Sequence, residues 1–273
     1  MELNEIENHW KNWAREFKSD IRATTKTRTI KELEVNALFK AIASTPLIAQ
    51  KGCEVLEVGC GNGHNCFMLS DHLPEFSFTG VDFIPDMVAS AEHVRSHQNN
   101  PEAFRFYQGN VLELDKHSEL IEEYDVVFTD RCIINLNSLE LQLAAFDQLC
   151  AKTRKGGYLI MIENIQSSYN AQNDLREYAG LERRTPDKFN LFIDEKPFLE
   201  HACEKMTLVK SEDFASLHDL LLYVVGPMLN EGNVDYDDPV VKAVTQLSLA
   251  LPHSMDLNIG AFGQNRLYLF KKG

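Results

Sequence analysis

The sequence predicts an α/β protein with a doubly wound, Rossmann-like sheet of seven mostly parallel strands, of which the last is antiparallel. Two observations predict this class. Between residues 53 and 163, short apolar runs alternate with helical patterns, and glycines follow the first apolar run at every second position. Repeated strand–helix units form parallel sheets with right-handed crossovers, and a glycine-rich turn between a strand and a helix is typical of nucleotide sites.

The first 50 residues predict a helical cap ahead of the sheet. Apolar and aromatic residues recur at helical spacing between Leu3 and Phe17, which indicates an amphipathic helix. A second helix is predicted to open at Thr29, because Glu32 follows it at the spacing of a capping box, and to run to about Ile48.

Five apolar runs predict the strands that follow: CEVLEV, FSFTGV, FRFYQG, YDVVFT and GYLIMIE. The intervening patterns predict helices at 62–72, 85–96 and 138–152. After Glu163 the alternation stops, and a long polar stretch precedes two further strands, MTLVKS and NRLYLFKK. These features predict four regions: a helical cap (1–50), a nucleotide-binding core (51–211) with a substrate-covering segment (164–200), a helical insertion on the substrate side (212–263) and a final core strand (264–273).

The amino-acid composition limits the kinds of partner that we expect. The formal net charge is -14, and nucleic-acid binding depends on Lys and Arg neutralising phosphates, so a nucleic-acid partner is not favoured. No run approaches the roughly 18 apolar residues of a membrane span, and the acidic amphipathic start is unlike a targeting peptide. The six cysteines form no CxxC pair, which predicts free thiols. We expect a cytoplasmic protein, and a homo-oligomer stays open.

The turn Glu57-x-Gly59-x-Gly61-x-Gly63 indicates which nucleotide is bound. A dinucleotide fingerprint requires its third glycine where this chain has His64. The three glycines present would let the backbone approach a ligand, and the N-terminus of the next helix favours a carboxylate. Glu57 is a candidate to accept from an ammonium group, directly or through water.

This turn resembles motif I of the class I S-adenosylmethionine-dependent methyltransferases, an acidic residue followed by G-x-G-x-G. Three later stretches, GVDFIPDMV, YQGNVLEL and YDVVFTDRCIINL, are similar to the next motifs of that family, and each follows a predicted strand. The resemblance covers roughly Cys53 to Glu163 and implies an enzyme with S-adenosylmethionine as its cofactor. The cofactor-binding residues that it implies are Glu57, Gly59, Cys60, Gly61, Gly63, Asp82, Phe83, Asn110, Val111 and Asp130.

The resemblance also implies a role for the residues after each strand. Asp82 would bond both ribose hydroxyls, and Phe83 would flank the adenine. Asn110 would lie at the adenine amino group, where the backbone N–H of Val111 would donate. Asp130 would lie beside the methionine portion. We expect Cys60 to contribute shape rather than chemistry.

The predicted catalytic residues are Glu163, as a base or hydrogen-bond acceptor for the substrate, and Arg131, beside the transferred methyl group. Glu163 and Asn164 end the fifth strand at the same sheet edge as Asp130. Cation-dependent O-methyltransferases of the catechol type carry acidic and amide ligands at these places. Asp130, Glu163 and Asn164 are therefore an alternative Mg²⁺ site, although the metal-free interpretation is favoured.

Other residues are weaker candidates. The histidines that suit a base by chemistry, without a spacing that singles one out, are His64, His72, His201, His218 and His253. Residues after the fifth strand that would line a pocket are Tyr169, Asn173, Arg176, Lys188 and Asn190. N-terminal residues that would close over the cofactor are Trp13, Arg22 and Thr25.

Together these features predict methyl transfer to an oxygen of a small-molecule or glycan-type acceptor. The chain has neither the NPPY-like run typical of exocyclic or amide nitrogens nor a Pro-Cys or Thr-Cys nucleophile after the fourth strand. Its N-terminal stretch is similar to methyltransferases of polysaccharide or secondary-metabolite pathways. The alternatives are an N-methyltransferase on a small molecule and a cofactor-binding scaffold or regulatory partner without turnover.

Overall fold

The computed structural model describes residues 1–252, 255, 257 and 259–273. Its seven strands form one sheet in the order β3-β2-β1-β4-β5-β7-β6, so the predicted fold class is confirmed. The strands are β1 (Glu54–Val58), β2 (Ser77–Asp82), β3 (Phe104–Gln108), β4 (Tyr124–Asp130), β5 (Thr153–Asn164), β6 (Thr207–Glu212) and β7 (Asn265–Lys271). Strands β1 to β5 are parallel to one another, whereas β7 is antiparallel to both β5 and β6.

Helices cover both faces of the sheet. They are α1 (Leu3–Phe17), α2 (Arg28–Ala43), α3 (His64–His72), α4 (Pro85–Arg95), α5 (Leu139–Lys152), α6 (Gln166–Tyr178), α7 (Glu195–Lys205), α8 (Ser216–Leu220), α9 (Gly226–Leu229) and α10 (Pro239–Ala250). A π-helical turn, Leu221–Val225, joins α8 to α9. None of the helices in the described part of the chain has both the length and the apolarity that crossing a bilayer requires.

Alternating strand residues build two separate cores. Val55 of β1 packs with α2 and α3 on one face, whereas its neighbour Leu56 packs with α5 and α7 on the other. This alternation follows from the two-residue period of a strand, and both faces are apolar because helices cover both. The strand order reverses between β1 and β4, so a crevice opens at the carboxyl ends of these strands.

The start and end of α2 differ from the prediction. Its N-cap is Thr27, whose hydroxyl accepts from the backbone N–H of Thr29 at 3.3 Å, so the helix opens before the predicted capping box. It ends at Ala43 rather than near Ile48. The chain then turns toward Pro46, which opens a short 3₁₀ helix and disfavours helical backbone in the residue before it.

The stretch after Glu163, predicted as irregular, contains the helices α6 and α7. The buried face of α6 is mostly polar, so an apolar period could not reveal it. Its buried residues are Ser168, Tyr169, Gln172, Asn173 and Arg176. Residues 179–194 connect the two helices and lie beside the sheet edge that carries the crevice, where Ile193 forms a bridge with Ile165.

Candidate active site

A cavity of about 620 Å³ lies at the carboxyl ends of the central strands. It is bordered by the turns after β1, β2, β3 and β4, by α1, by the 179–194 connection and by the π-helical turn. Small-molecule sites typically occupy roughly 300–1,000 Å³ and occur at this reversal point of an open sheet. The crevice at the ends of the strands is therefore deepened into a cavity by α1, the 179–194 connection and the π-helical turn.

The glycine turn after β1 forms part of the cavity wall. Gly59, Cys60 and Gly61 border the cavity, and Gly59 has a φ of 78°. A Cβ on Gly59 would lie 2.5 Å from Sγ of Cys132, so only glycine lets the turn after β4 pack so closely. Gly63 does not border the cavity. A Cβ at this position would instead lie against aromatic rings of the core. Gly63 therefore serves packing, contrary to the expected ligand contact.

Asp82 closes this turn from the end of β2. Its Oδ2 accepts from the backbone N–H of Gly61 at 2.7 Å, and its Oδ1 accepts from that of Ile84 at 2.8 Å. Burial raises the pKa of Asp82 to about 6. Asp82 borders the cavity together with Phe83, whose exposed fraction is 46%. Both residues thus lie where the sequence predicted a nucleoside.

Asn110 and Val111 border the cavity after β3. Oδ1 of Asn110 accepts from the backbone N–H of Leu112 at 3.0 Å and caps a short 3₁₀ helix. The same side chain thereby fixes the direction of the chain beside Phe83.

Glu57 is separated from the cavity by Asn65. Its Oε1 accepts from Nδ2 of Asn65 at 2.7 Å, and its Oε2 accepts from the thiol of Cys66 at 3.0 Å. Burial raises the pKa of Glu57 to about 8, so the carboxyl is largely protonated at neutral pH. The same Nδ2 of Asn65 donates to Oδ2 of Asp130 at 3.0 Å. The direct contact between Glu57 and an ammonium group is therefore not supported; Asn65 and Asp130 hold that place.

Four buried charges form a network under the cavity. Nζ of Lys31 lies 2.5 Å from Oδ2 of Asp130 and 3.0 Å from Oε2 of Glu34, and Nε of Arg131 lies 2.9 Å from Oε1 of Glu34. The two cations balance the two carboxylates. Burial alone would raise the pKa of Asp130, but Lys31 and Arg131 outweigh it and hold that pKa below its ordinary value. Sequence analysis missed Lys31 and Glu34, which look like ordinary surface charges of α2.

Two oxygens beside this network have no hydrogen-bond partner among the described residues. They are Oδ1 of Asp130 and Oδ1 of Asn65, both buried, and both residues border the cavity. A buried acceptor without a donor costs about 1–3 kcal/mol, so a native site supplies a donor. An ammonium group offers three N–H donors and a positive charge. The pair therefore fits the amino end of S-adenosylmethionine.

Comparisons with known proteins agree with this geometry. A family model described as "Methyltransferase domain" matches residues 49–219. The chain belongs to the methyltransferase domain family. The resemblance to class I S-adenosylmethionine-dependent methyltransferases is thereby confirmed. S-adenosylmethionine is the methyl donor of that class.

The individual proteins to which the chain is similar share only a small part of its sequence. The chain is 29% identical over 116 residues to "Hemagglutinin 1" of Eikenella corrodens, covering 42% of this chain and 36% of that one. It is 25% identical to the arsenite methyltransferase of Mus musculus, covering 48% and 35% respectively. It thus spans about a third of the length of these relatives. N-methyltransferase NodS from Bradyrhizobium japonicum, solved with S-adenosyl-L-homocysteine, shares the fold at a TM-score of 0.57, with 13% identity and coverage of 97% and 98%.

Arg131 of the methyltransferase borders the cavity in a left-handed conformation, with a φ of 55°. Its backbone N–H donates to the carbonyl of Ile162 at 2.7 Å, and its guanidinium is held by Glu34. Non-glycine residues in this conformation occur mostly where the surroundings enforce it, often at functional sites. The geometry therefore keeps Arg131 as a candidate residue on the cavity wall.

Glu163 lies behind the loop that follows β4 and does not border the cavity. Its carboxylate accepts from the hydroxyl of Thr129 at 2.9 Å and from the backbone N–H groups of Ile133 and Ile134 at 3.1 and 3.3 Å. The role predicted for Glu163 as a base toward the substrate is thus at odds with the geometry. Its carboxylate instead fixes the loop that carries Arg131.

The alternative Mg²⁺ site is not assembled. Nδ2 of Asn164 donates to Oδ1 of Asn265 at 2.5 Å, Glu163 binds the loop, and the ammonium of Lys31 lies where a cation would contact Asp130. No group of three His, Cys, Asp or Glu side chains with metal-binding geometry occurs among residues 1–252, 255, 257 and 259–273.

A roof made of α1 and residues 179–194 covers the cavity. Nε1 of Trp10 donates to Oδ1 of Asn135 at 2.9 Å, which ties α1 to the loop after β4. The ring of His9 stacks on Phe189 with centroids 4.2 Å apart, and Lys26 pairs with Asp187 at 3.2 Å. These contacts join the two parts of the roof to each other and to the core.

The structure sorts the weaker candidates. Those that border the cavity are Trp13, Thr25, His64, Tyr169 and Asn190. Those that do not are Arg22, His72, Asn173, Arg176, Lys188, His201 and His218. His253 lies outside the described residues. Nε2 of His64 is 3.1 Å from the carbonyl of Ser19, on the N-terminal side of the cavity.

Proposed function

We propose that the methyltransferase transfers the methyl group of S-adenosylmethionine to an oxygen of a small-molecule or saccharide-linked acceptor. The observation that carries this proposal is the roofed cavity of about 620 Å³. One part of its wall holds the predicted cofactor-binding residues, another part holds aromatic side chains, and both parts face the same volume. A roof closed over both walls suits a small acceptor better than a folded polymer.

The charges around the cavity favour an oxygen over a protonated amine. Within the protein, Asp82 accepts from two backbone N–H groups, Asp187 pairs with Lys26 and Glu7 pairs with Lys11. Asp130 pairs with Lys31, and its remaining oxygen, Oδ1, would be taken by the ammonium of the cofactor. A protonated amine entering the cavity would leave water without a free carboxylate to pair with, which is costly. A neutral hydroxyl carries no charge and meets no such penalty, and an anionic oxygen meets it only where no cation pairs with it.

The chain's own residues would bind, orient and exclude water. Bound S-adenosylmethionine supplies an electrophilic methyl group on a sulfonium. Asp130 and Asn65 would hold its ammonium and Asp82 its ribose hydroxyls, and these contacts would fix the orientation of the cofactor. The roof would then exclude water from the cavity. This would prevent hydrolysis of the bound cofactor and strengthen each electrostatic contact.

The test combines binding with methyl transfer. We expect calorimetry to show binding of S-adenosylhomocysteine and none of NAD. We then expect transfer of a ¹³C-labelled methyl group to a component of a small-molecule extract from the producing cells, with the O–CH₃ signal visible by NMR. Label on nitrogen would replace the proposal with the N-methyltransferase alternative. Cofactor binding with no transfer in any extract would indicate the scaffold alternative.

A further inference from the structure

We infer that the acceptor carries an anionic oxygen group, a carboxylate or a phosphate, and that Arg184 binds it. This inference rests on the proposed function, because it assigns the substrate class of the same cavity. It starts from the positive side chains of the cavity wall and from the partner that each of them has.

Arg184 differs from the other cations on the wall. Those paired with carboxylates are Lys26 (with Asp187), Lys31 (with Asp130 and Glu34), Arg131 (with Glu34) and Arg183 (with Asp174 and Glu177). In the described part of the chain, no carboxylate lies within 4.0 Å of the Arg184 guanidinium nitrogens. Its Nη1 donates to neutral amide oxygens, Oε1 of Gln172 at 2.7 Å and Oε1 of Gln264 at 3.5 Å. The charge of Arg184 is therefore uncompensated.

Aromatic rings frame this guanidinium. Its central carbon lies 3.6 Å from the ring centroid of Tyr223 and 5.5 Å from that of Tyr169, and both tyrosines border the cavity. Tyr223 belongs to the π-helical turn, a rare element that is frequent at functional sites. Stacking on the rings fixes the guanidinium plane and leaves its edge for hydrogen bonds.

A second cation adds to the positive potential. Arg176 is buried behind Tyr223 and donates to the carbonyl oxygens of Glu182 and Tyr223 rather than to a carboxylate. The nearest acidic side chain of the neighbouring α8, Asp219, is engaged by His218 at 2.9 Å and by the backbone N–H of Gln264 at 2.9 Å. This end of the cavity is thus positive although the whole chain is acidic.

An anionic oxygen group completes this site. A planar guanidinium binds a carboxylate or phosphate through two parallel N–H···O contacts, which is stronger and more directional than a contact with a neutral oxygen. The cofactor's ammonium has its own acceptors at Asp130 and Asn65, so Arg184 remains for the acceptor. An anionic oxygen that accepts the methyl group is already deprotonated, so no base has to remove a proton from it. This agrees with a cavity in which Glu163 is not available as a base.

The first experiment tests the charge of the acceptor. A small-molecule extract of the producing cells is separated at pH 7 into anion-exchange-bound, cation-exchange-bound and unbound fractions, and each is offered with methyl-labelled S-adenosylmethionine. We expect the acceptor in the anion-exchange-bound fraction. Loss of acceptor activity after alkaline phosphatase indicates a phosphate monoester, and survival indicates a carboxylate or a phosphodiester. Label only in the unbound or cation-exchange-bound fraction would overturn the inference and leave the proposed function intact. No label in any fraction would overturn the proposed function, and the inference with it.

The second experiment tests Arg184 against an arginine that lies outside the cavity. With the labelled fraction, we expect R184Q to lower kcat/KM by roughly 10- to 100-fold, as for loss of a charged hydrogen-bond partner, and R184K to fall between R184Q and the wild type. R105Q, which removes a half-exposed arginine of β3 that does not border the cavity, should stay within about two-fold. The Kd for S-adenosylhomocysteine should change by less than about two-fold in all three. Unchanged kcat/KM in R184Q, or a matching loss of S-adenosylhomocysteine affinity, would contradict the assignment.

Discussion

The two ends of the cavity are built in different ways. The donor end, formed by the turns after β1 to β4, uses backbone N–H groups and short polar side chains that follow directly on strands. The acceptor end, formed by Tyr169, Arg184 and Tyr223, draws single side chains from α6, from the 179–194 connection and from the π-helical turn. One end is therefore fixed by local sequence, and the other by contacts between distant segments.

The two ends also differ in charge. At the donor end the two cations of the buried network balance Glu34 and Asp130, while Asp82 has no cation partner in the described part of the chain. The carboxylate of Asp82 and the Oδ1 atoms of Asp130 and Asn65, which accept no hydrogen bond from the described residues, favour a cation there. At the acceptor end the uncompensated charge is positive. A cavity with opposite preferences at its ends can hold two ligands in one orientation each. Variants at the donor end should therefore change cofactor affinity, while R184Q should spare it.

The largest effect is expected for Asp130→Asn. It leaves Lys31 without its main partner and removes an acceptor for the ammonium. Breaking a buried ion pair on one side typically costs about 3–5 kcal/mol of unfolding free energy. We also expect the affinity for S-adenosylhomocysteine to fall by roughly 100-fold, the loss for about two charged contacts. Urea unfolding and calorimetry measure the two effects.

The double variant Lys31→Gln with Asp130→Asn separates the effect on stability from the effect on cofactor affinity. Because it removes one charge of each sign, the network stays neutral and most of the stability should return. The ammonium acceptor is still absent, so the affinity for S-adenosylhomocysteine should stay low. Recovery of affinity together with stability would mean that Asp130 acts on the cofactor only through folding, and the assignment of the donor end would fail.

Glu57 should make stability depend on pH. Burial raises its pKa from 4.5 to about 8, so between these values the folded protein holds a proton that the unfolded chain releases. Unfolding free energy should therefore fall as the pH rises from about 5 to 8, with a contribution of up to about 1.4 kcal/mol per pH unit. In Glu57→Gln this contribution should vanish, which urea unfolding at several pH values measures.

The control lies at the other end of the same strand. Glu54→Gln changes a partly exposed carboxylate that pairs with Arg105, and it should leave the pH slope close to that of the wild type. Equal slopes in Glu57→Gln and the wild type would show that the Glu57 carboxyl is ionised in the folded protein. The donor end would then carry one more negative charge than the balance given above.

Glu163→Gln tests a structural role against a catalytic one. A glutamine would present an NH₂ group to backbone N–H donors of the loop, so we expect a loss of about 1–3 kcal/mol in unfolding free energy. Turnover should fall because Arg131 moves with the loop, but the pH dependence of kcat should keep its shape. Thr129→Val, which removes one donor to the same carboxylate, should give a smaller loss of the same kind. A pH profile that loses its acidic limb without a loss of stability would restore Glu163 as a base.

The same comparison explains what the sequence could predict. Asp82, Asn110 and Asp130 each end a strand pattern, and parallel strands bring their carboxyl ends to one edge, so local order places these residues together. Lys31 and Glu34 gave no such signal, because charges on a helix usually face solvent and only the packing of α2 against the sheet, at β5 and β7, buries them. Arg184 and Tyr223 are 39 positions apart and meet only through the tertiary fold.

Glu57 and Glu163 show what the sequence motifs could not predict. Both were placed at the correct sheet edge, yet the pattern of residues does not state which side chain faces the cavity and which faces a loop. That depends on Asn65 and on the backbone N–H groups after β4, whose positions follow from packing. Asn65 belongs to the glycine turn and helix that the motif predicted, but its type carries no family signature.

The smallest effect is expected for Trp10→Phe, which tests whether the roof serves the donor end as well as the acceptor. The change removes the N–H donor to Asn135 and keeps an aromatic ring near Phe189. Loss of one hydrogen bond of about 0.5–1.5 kcal/mol predicts release of S-adenosylhomocysteine faster by roughly two- to ten-fold, measured by competition with unlabelled ligand after mixing with the radiolabelled form. Trp13→Phe, in a helix position that packs on Phe17, should change release by less than two-fold. Equal acceleration in both variants would mean that packing of α1, and not its bond to the loop after β4, holds the roof over the donor end.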